Sequence, residues 1–68
     1  MGFKVGDSVL TTKSLYPRGA SRIDTGAPGI VIRVGHSAWK GEVYTVKFEI
    51  GRDTVFVEDV EEKDLYPR

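Results

Sequence analysis

Few side chains in this sequence can do covalent chemistry, and their spacing argues against catalysis. His36 is the single histidine, and cysteine is absent. A Ser-His-Asp relay needs a histidine held between a nucleophile and a carboxylate, and a zinc site needs three or four nitrogen or sulfur donors. One histidine supplies neither, unless copies converge in a symmetric oligomer. Gly26-Ala27-Pro28-Gly29 has the outline of a phosphate loop but lacks the following Lys-Ser/Thr. Pro28 also removes an amide that a phosphate would need, so the segment reads as a tight turn into a strand. The carboxylate run Glu58-Asp59-Val60-Glu61-Glu62-Lys63-Asp64 lacks the spacing and central glycine of a calcium loop. It reads as a solvated acidic turn, with docking of a basic partner as the sharper alternative. No catalytic residue, metal site or cofactor is expected.

Recognition is better supplied. Tyr16, Arg18, Arg22, His36, Trp39 and Lys40 fall on two stretches, 13–28 and 35–41, rich in glycine, proline and small polar residues. A connector of that length in a tiny domain usually carries function or moves. Trp39 is the residue type that anchors protein interfaces. Its competing use is to fold back over a small core. Arg18, Arg22 and Lys40 would form a basic rim that steers an acidic partner. The same stretches also suit nucleic acid. Lys13, Arg18, Arg22, Arg33 and Lys40 would meet phosphates, and Tyr16 and Trp39 would stack on bases. A net charge of zero and a pI near 6.6 weigh against that, because phosphate binders carry a basic surplus. An aromatic cage for a methylated cation would need Tyr44, whose parity assigns it to the core. The expectation is a non-catalytic module that docks on a protein partner, with nucleic-acid binding as the alternative.

Sixty-eight residues make one domain, 1–68. A chain of this size buries only about 60% of its unfolded surface. Without disulfides, a closed barrel or assembly with a partner is the expected support. The N-terminal stretch shows no leader or membrane-spanning pattern, and a cytoplasmic protein is expected. Oligomeric state is left open. Residues 1–40 hold six of the ten basic residues and only two of the ten acidic ones. The halves are expected to interleave in the fold, so that their charges offset.

The elements that must position these residues are short strands. The first is predicted over Asp7–Thr12, the second over Gly29–Val34 and the third over Glu42–Ile50. Tyr44, Val46, Phe48 and Ile50 share one face of the third strand. Gly51-Arg52-Asp53 reads as a hairpin turn, Thr54–Glu58 as the fourth strand and Leu65–Pro67 as the last, placed beside the first. Residues 59–64 suit a single 3₁₀ turn, and 35–41 reads as a glycine-bounded loop. The expected core is Val9, Val31, Tyr44, Val46, Phe48, Val55, Val57 and Leu65, plugged by Ile23 and Val60. Lys13–Arg18 and Lys63–Arg68 match at five of six positions. Two copies do not make a solenoid, and coincidence or similar turn chemistry at two barrel corners is the simplest explanation.

Gly6-Asp7-x-Val9, Gly26-x-x-Gly29-x-Val31, Tyr44-x-Val46-x-Phe48 and an acidic turn ending in Leu65 together resemble the SH3-like barrels. The long first loop and small size are similar to their accessory group. That group includes the variable chain of ferredoxin–thioredoxin reductase, the E subunit of photosystem I and the barrel domain of the nitrile hydratase β subunit. The Gly-x-x-Gly-x-Val element also resembles the KOW motif. The resemblance covers most of the chain but rests on turn glycines and core apolars, which mark a fold and not a function. It implies a five-stranded all-β barrel with a long first loop and a 3₁₀ turn before the last strand. No residue carried over in this way has a catalytic role. The tetrameric barrel dihydrofolate reductases use a Val-Gln-Ile-Tyr segment where this chain has Val55-Phe56-Val57-Glu58, which removes the groups that chemistry needs.

Overall fold

A computed structural model describes residues 2–19 and 22–68. It contains five strands: β1 (Ser8–Thr11), β2 (Pro28–Ser37), β3 (Gly41–Ile50), β4 (Asp53–Glu61) and β5 (Leu65–Pro67). One 3₁₀ turn, Glu62–Asp64, precedes β5. All pairings are antiparallel, in one sheet of order β4-β3-β2-β1-β5. β5 lies beside β1, with Val9 opposite Pro67 and Thr11 opposite Leu65. β4 and β5 are the sheet edges, and among the described residues no strand pairing joins them.

Two bulges bend this sheet. Between β2 and β3 the register shifts past Val31, which leaves an extra residue on β2. Between β3 and β4 it shifts past Tyr44, where Tyr44 faces Val60 but Val46 faces Val57. The extra residue there is on β4, and Asp59 adopts a φ of 57°, the one non-glycine residue in the left-handed region among those described. An inserted residue reverses the in–out alternation. Val55 points inward before the bulge, and Val60 returns inward after it. Without the insertion the side chain of Asp59 would face the core.

The core gathers Val9, Leu15, Ile23, Val31, Tyr44, Val46, Phe48, Val55, Val60 and Leu65. Leu15 is an addition to the expected set, and Val57 is half-buried against the cluster rather than within it. Val43 is also buried, but outside this cluster and on the opposite face of β3 from Tyr44. Gly29 is required by close approach. A Cβ there would sit 2.7 Å from Val46 Cγ1 and 2.8 Å from Phe48 Cε1. At the β3–β4 hairpin, Gly51 takes a φ of 62° in the first central position, as a type II′ turn demands.

The long loop is tied down along much of its length. Thr11 is fully buried, and its Oγ1 donates to the Asp24 carbonyl at 3.0 Å. The same oxygen accepts from the amides of Gly26 at 3.0 Å and Ala27 at 3.2 Å. Leu15 and Ile23 form a two-way backbone bridge at 2.8 Å, which pulls both side chains into the core. The expected role of Ile23 as a plug of the core agrees with that geometry.

Two expectations need correction. The fourth strand, predicted over Thr54–Glu58, runs on to Glu61 through the bulge at Asp59, so of residues 59–64 only Glu62–Asp64 form the 3₁₀ turn. The loop predicted over 35–41 is mostly strand. β2 continues to Ser37, opposite Gly41, so only Ala38, Trp39 and Lys40 form the turn. The glycine at 35 that suggested a break pairs with Val43 instead. Strand-breaking glycine was outweighed by the continuing ladder with β3.

Candidate functional site

The turn at the end of the β2–β3 hairpin presents Trp39 to solvent. Trp39 is 94% exposed, so it does not fold back over the core. Its backbone is held: Ser37 Oγ accepts from the amides of Trp39 and Lys40, each at 3.3 Å. A hydroxyl bonded to the next amides along the chain is a standard local brace. The indole is thus carried on a braced turn with its surface in water.

Beside this turn lies a cleft of about 480 Å³. One wall is the start of the long loop, with Lys13, Tyr16, Pro17 and Arg18, continued by Lys40 from the hairpin. The opposite wall is β4, with Phe56, Glu58, Asp59 and Glu61. Tyr16 and Phe56 are 77% and 56% exposed, so two aromatic rings line the cleft without entering the core. The loop places Tyr16 outward because Leu15 is anchored inward by its bridge to Ile23. Strand alternation places Phe56 outward between Val55 and Val57.

The charges across this cleft are opposed. Lys13 reaches the nearly buried Asp64 at 3.4 Å, and Glu61 is 3.9 Å from Lys63. Arg18, Lys40, Glu58 and Asp59 have no ion-pair partner among the described residues. Basic residues of the first half of the sequence and acidic residues of the second therefore line one cleft.

Three of the six predicted residues, Tyr16, Arg18 and Lys40, come together on this cleft, and Trp39 adjoins it through Lys40. Arg22 does not line it. Its Nε is 2.8 Å from Asp24 Oδ1, a local pair with both side chains exposed. His36 was expected on a loop but is a β2 residue opposite Glu42; it does not line the cleft but lines a neighbouring depression with Arg33 and Thr45, which shares Glu58 and Asp59 with the cleft. Phe56 was not among the predicted site residues, and the carboxylates of β4 entered the sequence reading only as a solvated turn with docking of a basic partner as the sharper alternative. The signal for Phe56 was its parity, since a large aromatic at an outward position of a short strand has no core to enter.

Tyr44 is a core residue whose hydroxyl is fully used. It accepts from the Phe3 amide at 3.0 Å and donates to Glu42 Oε1 at 2.6 Å. The Phe3 ring packs edge-on against the Tyr44 ring at 5.5 Å. Burial, and then the bond to Glu42, push the phenol above its ordinary value of 10.0. Tyr44 is accordingly unavailable to a cage with Tyr16 and Trp39. Among the described residues, no three His, Asp or Glu side chains converge as metal ligands, and no helix is long and apolar enough to cross a membrane. Compared with known proteins, the chain matches no family model, and no significant match was found among curated proteins or solved structures.

Proposed function

We propose that this chain is a non-catalytic binding or accessory module of the SH3-like barrel type, docking on a protein partner through the cleft and the Trp39 turn. The observation that carries this reading is the exposure of Trp39 on a braced turn next to a cleft walled by Tyr16 and Phe56. Three large aromatic surfaces in water on one side of a small protein are costly unless something covers them. Arg18 and Lys40 would orient an acidic part of the partner, and Glu58 and Asp59 a basic part. A partner with charges of both signs around an apolar centre fits this side. The strand order β4-β3-β2-β1-β5 and the 3₁₀ turn before β5 are compatible with an SH3-like barrel.

The test separates protein docking from the nucleic-acid alternative. Labelled protein is titrated with short generic DNA and RNA at low and moderate salt. The docking reading expects no salt-sensitive shifts at Lys13, Arg18, Trp39 and Lys40. It also expects capture of a protein from the source cell that the Arg18→Ala/Lys40→Ala double variant captures less well. Shifts that cluster on these residues and fade with added salt would transfer the site to nucleic acid.

A further inference from the structure

The second cleft of the molecule lies on the other side of the 3₁₀ turn, between the N-terminal segment and β5. It measures about 850 Å³ and is lined by Phe3, Leu65 and Pro67 on its apolar side and by Asp7, Lys63 and Arg68 among its charged groups. It shares no lining residue with the Tyr16–Phe56 cleft. Yet both are walled by the same four-residue string. Leu15-Tyr16-Pro17-Arg18 forms one wall and Leu65-Tyr66-Pro67-Arg68 contributes to the other. In each copy the leucine is buried, the tyrosine turns out to solvent and the arginine sits on the cleft. The repetition in sequence corresponds to a repeated local use: an anchored leucine, a stiff proline and a guanidinium at the opening.

The other charged side chains of this cleft have contacts of their own. Asp7 Oδ2 accepts from the Lys4 amide at 2.8 Å. Lys63 is drawn toward Glu61 at 3.9 Å, and Glu62 has an interaction of its own. Arg68 bonds through its backbone, its amide donating to the Ser8 carbonyl at 3.1 Å, but its guanidinium has no ion-pair partner among the described residues. An apolar floor with one uncommitted guanidinium at the rim selects for a hydrocarbon body bearing one anionic group. The volume is within the range of small-molecule sites, roughly 300–1,000 Å³. A guanidinium binds a carboxylate through paired, charge-assisted hydrogen bonds. We infer that this cleft is a binding site for a small apolar carboxylate, whose hydrocarbon part lies on Phe3, Leu65 and Pro67 and whose carboxylate pairs with Arg68.

The experiment uses 2-naphthoate as the probe, with 2-naphthylmethylammonium as a control of opposite charge. Each is titrated into the labelled full chain, and amide shifts are followed. The expected result is saturable shifts centred on Phe3, Ser8, Leu65 and Arg68 with naphthoate. The cation should bind at least about tenfold more weakly, and Arg68→Gln should weaken naphthoate by about tenfold with thermal unfolding unchanged. Arg18→Gln should leave naphthoate binding as it was. Absence of saturation, equal binding of the cation, unaltered affinity in Arg68→Gln, or shifts centred on Tyr16 and Phe56 would each overturn the assignment. Because the two clefts have no residue in common, failure here leaves the docking surface untouched, and failure there leaves this site untouched.

Discussion

Gly29 shows how much a single residue decides in a core this small. Its missing Cβ is the space that Val46 and Phe48 fill. Gly29→Ala is expected to cost about 1–3 kcal/mol through overpacking. For a domain of this size each kcal/mol lowers the melting temperature by roughly 4–8 °C, so thermal unfolding reads the effect directly. Tyr44 makes a different prediction, in pH. Its folded phenol is raised above 10.0, chiefly by burial, so the folded state keeps the proton that the unfolded state releases. That contribution is fully present below pH 10 and is lost as pH rises through the folded value. Tyr44→Phe should be less stable at neutral pH, by about 1 kcal/mol for the lost hydroxyl bonds. It should also lack this part of the alkaline decline. Denaturant midpoints between pH 8 and roughly 11.5 would show parallel curves for both proteins if the phenol has no such role.

At the level of elements, the bulge on β4 and the clamp on the long loop organise the candidate site. Asp59 holds a left-handed conformation that re-aims Val60 into the core and leaves the Asp59 carboxylate on the cleft wall. Asp59→Val is expected to destabilise by about 1–2 kcal/mol, because a β-branched side chain is strained there, whereas Asp59→Gly should be neutral or stabilising. Equal losses from both variants would show that the conformation is not what matters. Thr11→Val removes three hydrogen bonds to the 24–27 segment while keeping shape. The expected cost is about 1 kcal/mol, with faster amide exchange at Gly26 and Ala27.

The strands were legible where alternation was clean. Tyr44, Val46 and Phe48 announced the buried face of β3, and Leu65-Tyr66-Pro67 was readable as a last strand beside β1. The extension of β2 through Gly35 and His36 was not, because its evidence is a ladder with residues 41–45 rather than a local preference. Both bulges were equally hidden, since an inserted residue leaves no mark on a hydrophobic pattern that already tolerates polar positions such as Glu58 and Asp59. Candidate binding residues were found by type, as aromatics and cations on presumed loops. Their grouping depended on which loop meets which strand. Tyr16, Arg18 and Lys40 are brought together on the cleft, whereas Arg22 is taken by Asp24.

Across the whole molecule, Tyr44 and Phe48 are fully buried, Phe3 is half-buried, and Tyr16, Phe56, Trp39 and Tyr66 are exposed, the first two on the cleft and Trp39 on the turn beside it. This division predicts that the surface aromatics contribute to binding and little to folding. The basic loop wall and the acidic β4 wall face each other there, which suits a partner that is itself of mixed charge. The most direct measurement compares wild type with Trp39→Ala, both for capture of protein from the source cell and for thermal unfolding. The expected result is a protein retained by wild type and lost from Trp39→Ala, with the two melting temperatures the same. Equal retention by both proteins, or a large fall in melting temperature for Trp39→Ala, would contradict a docking role for this residue.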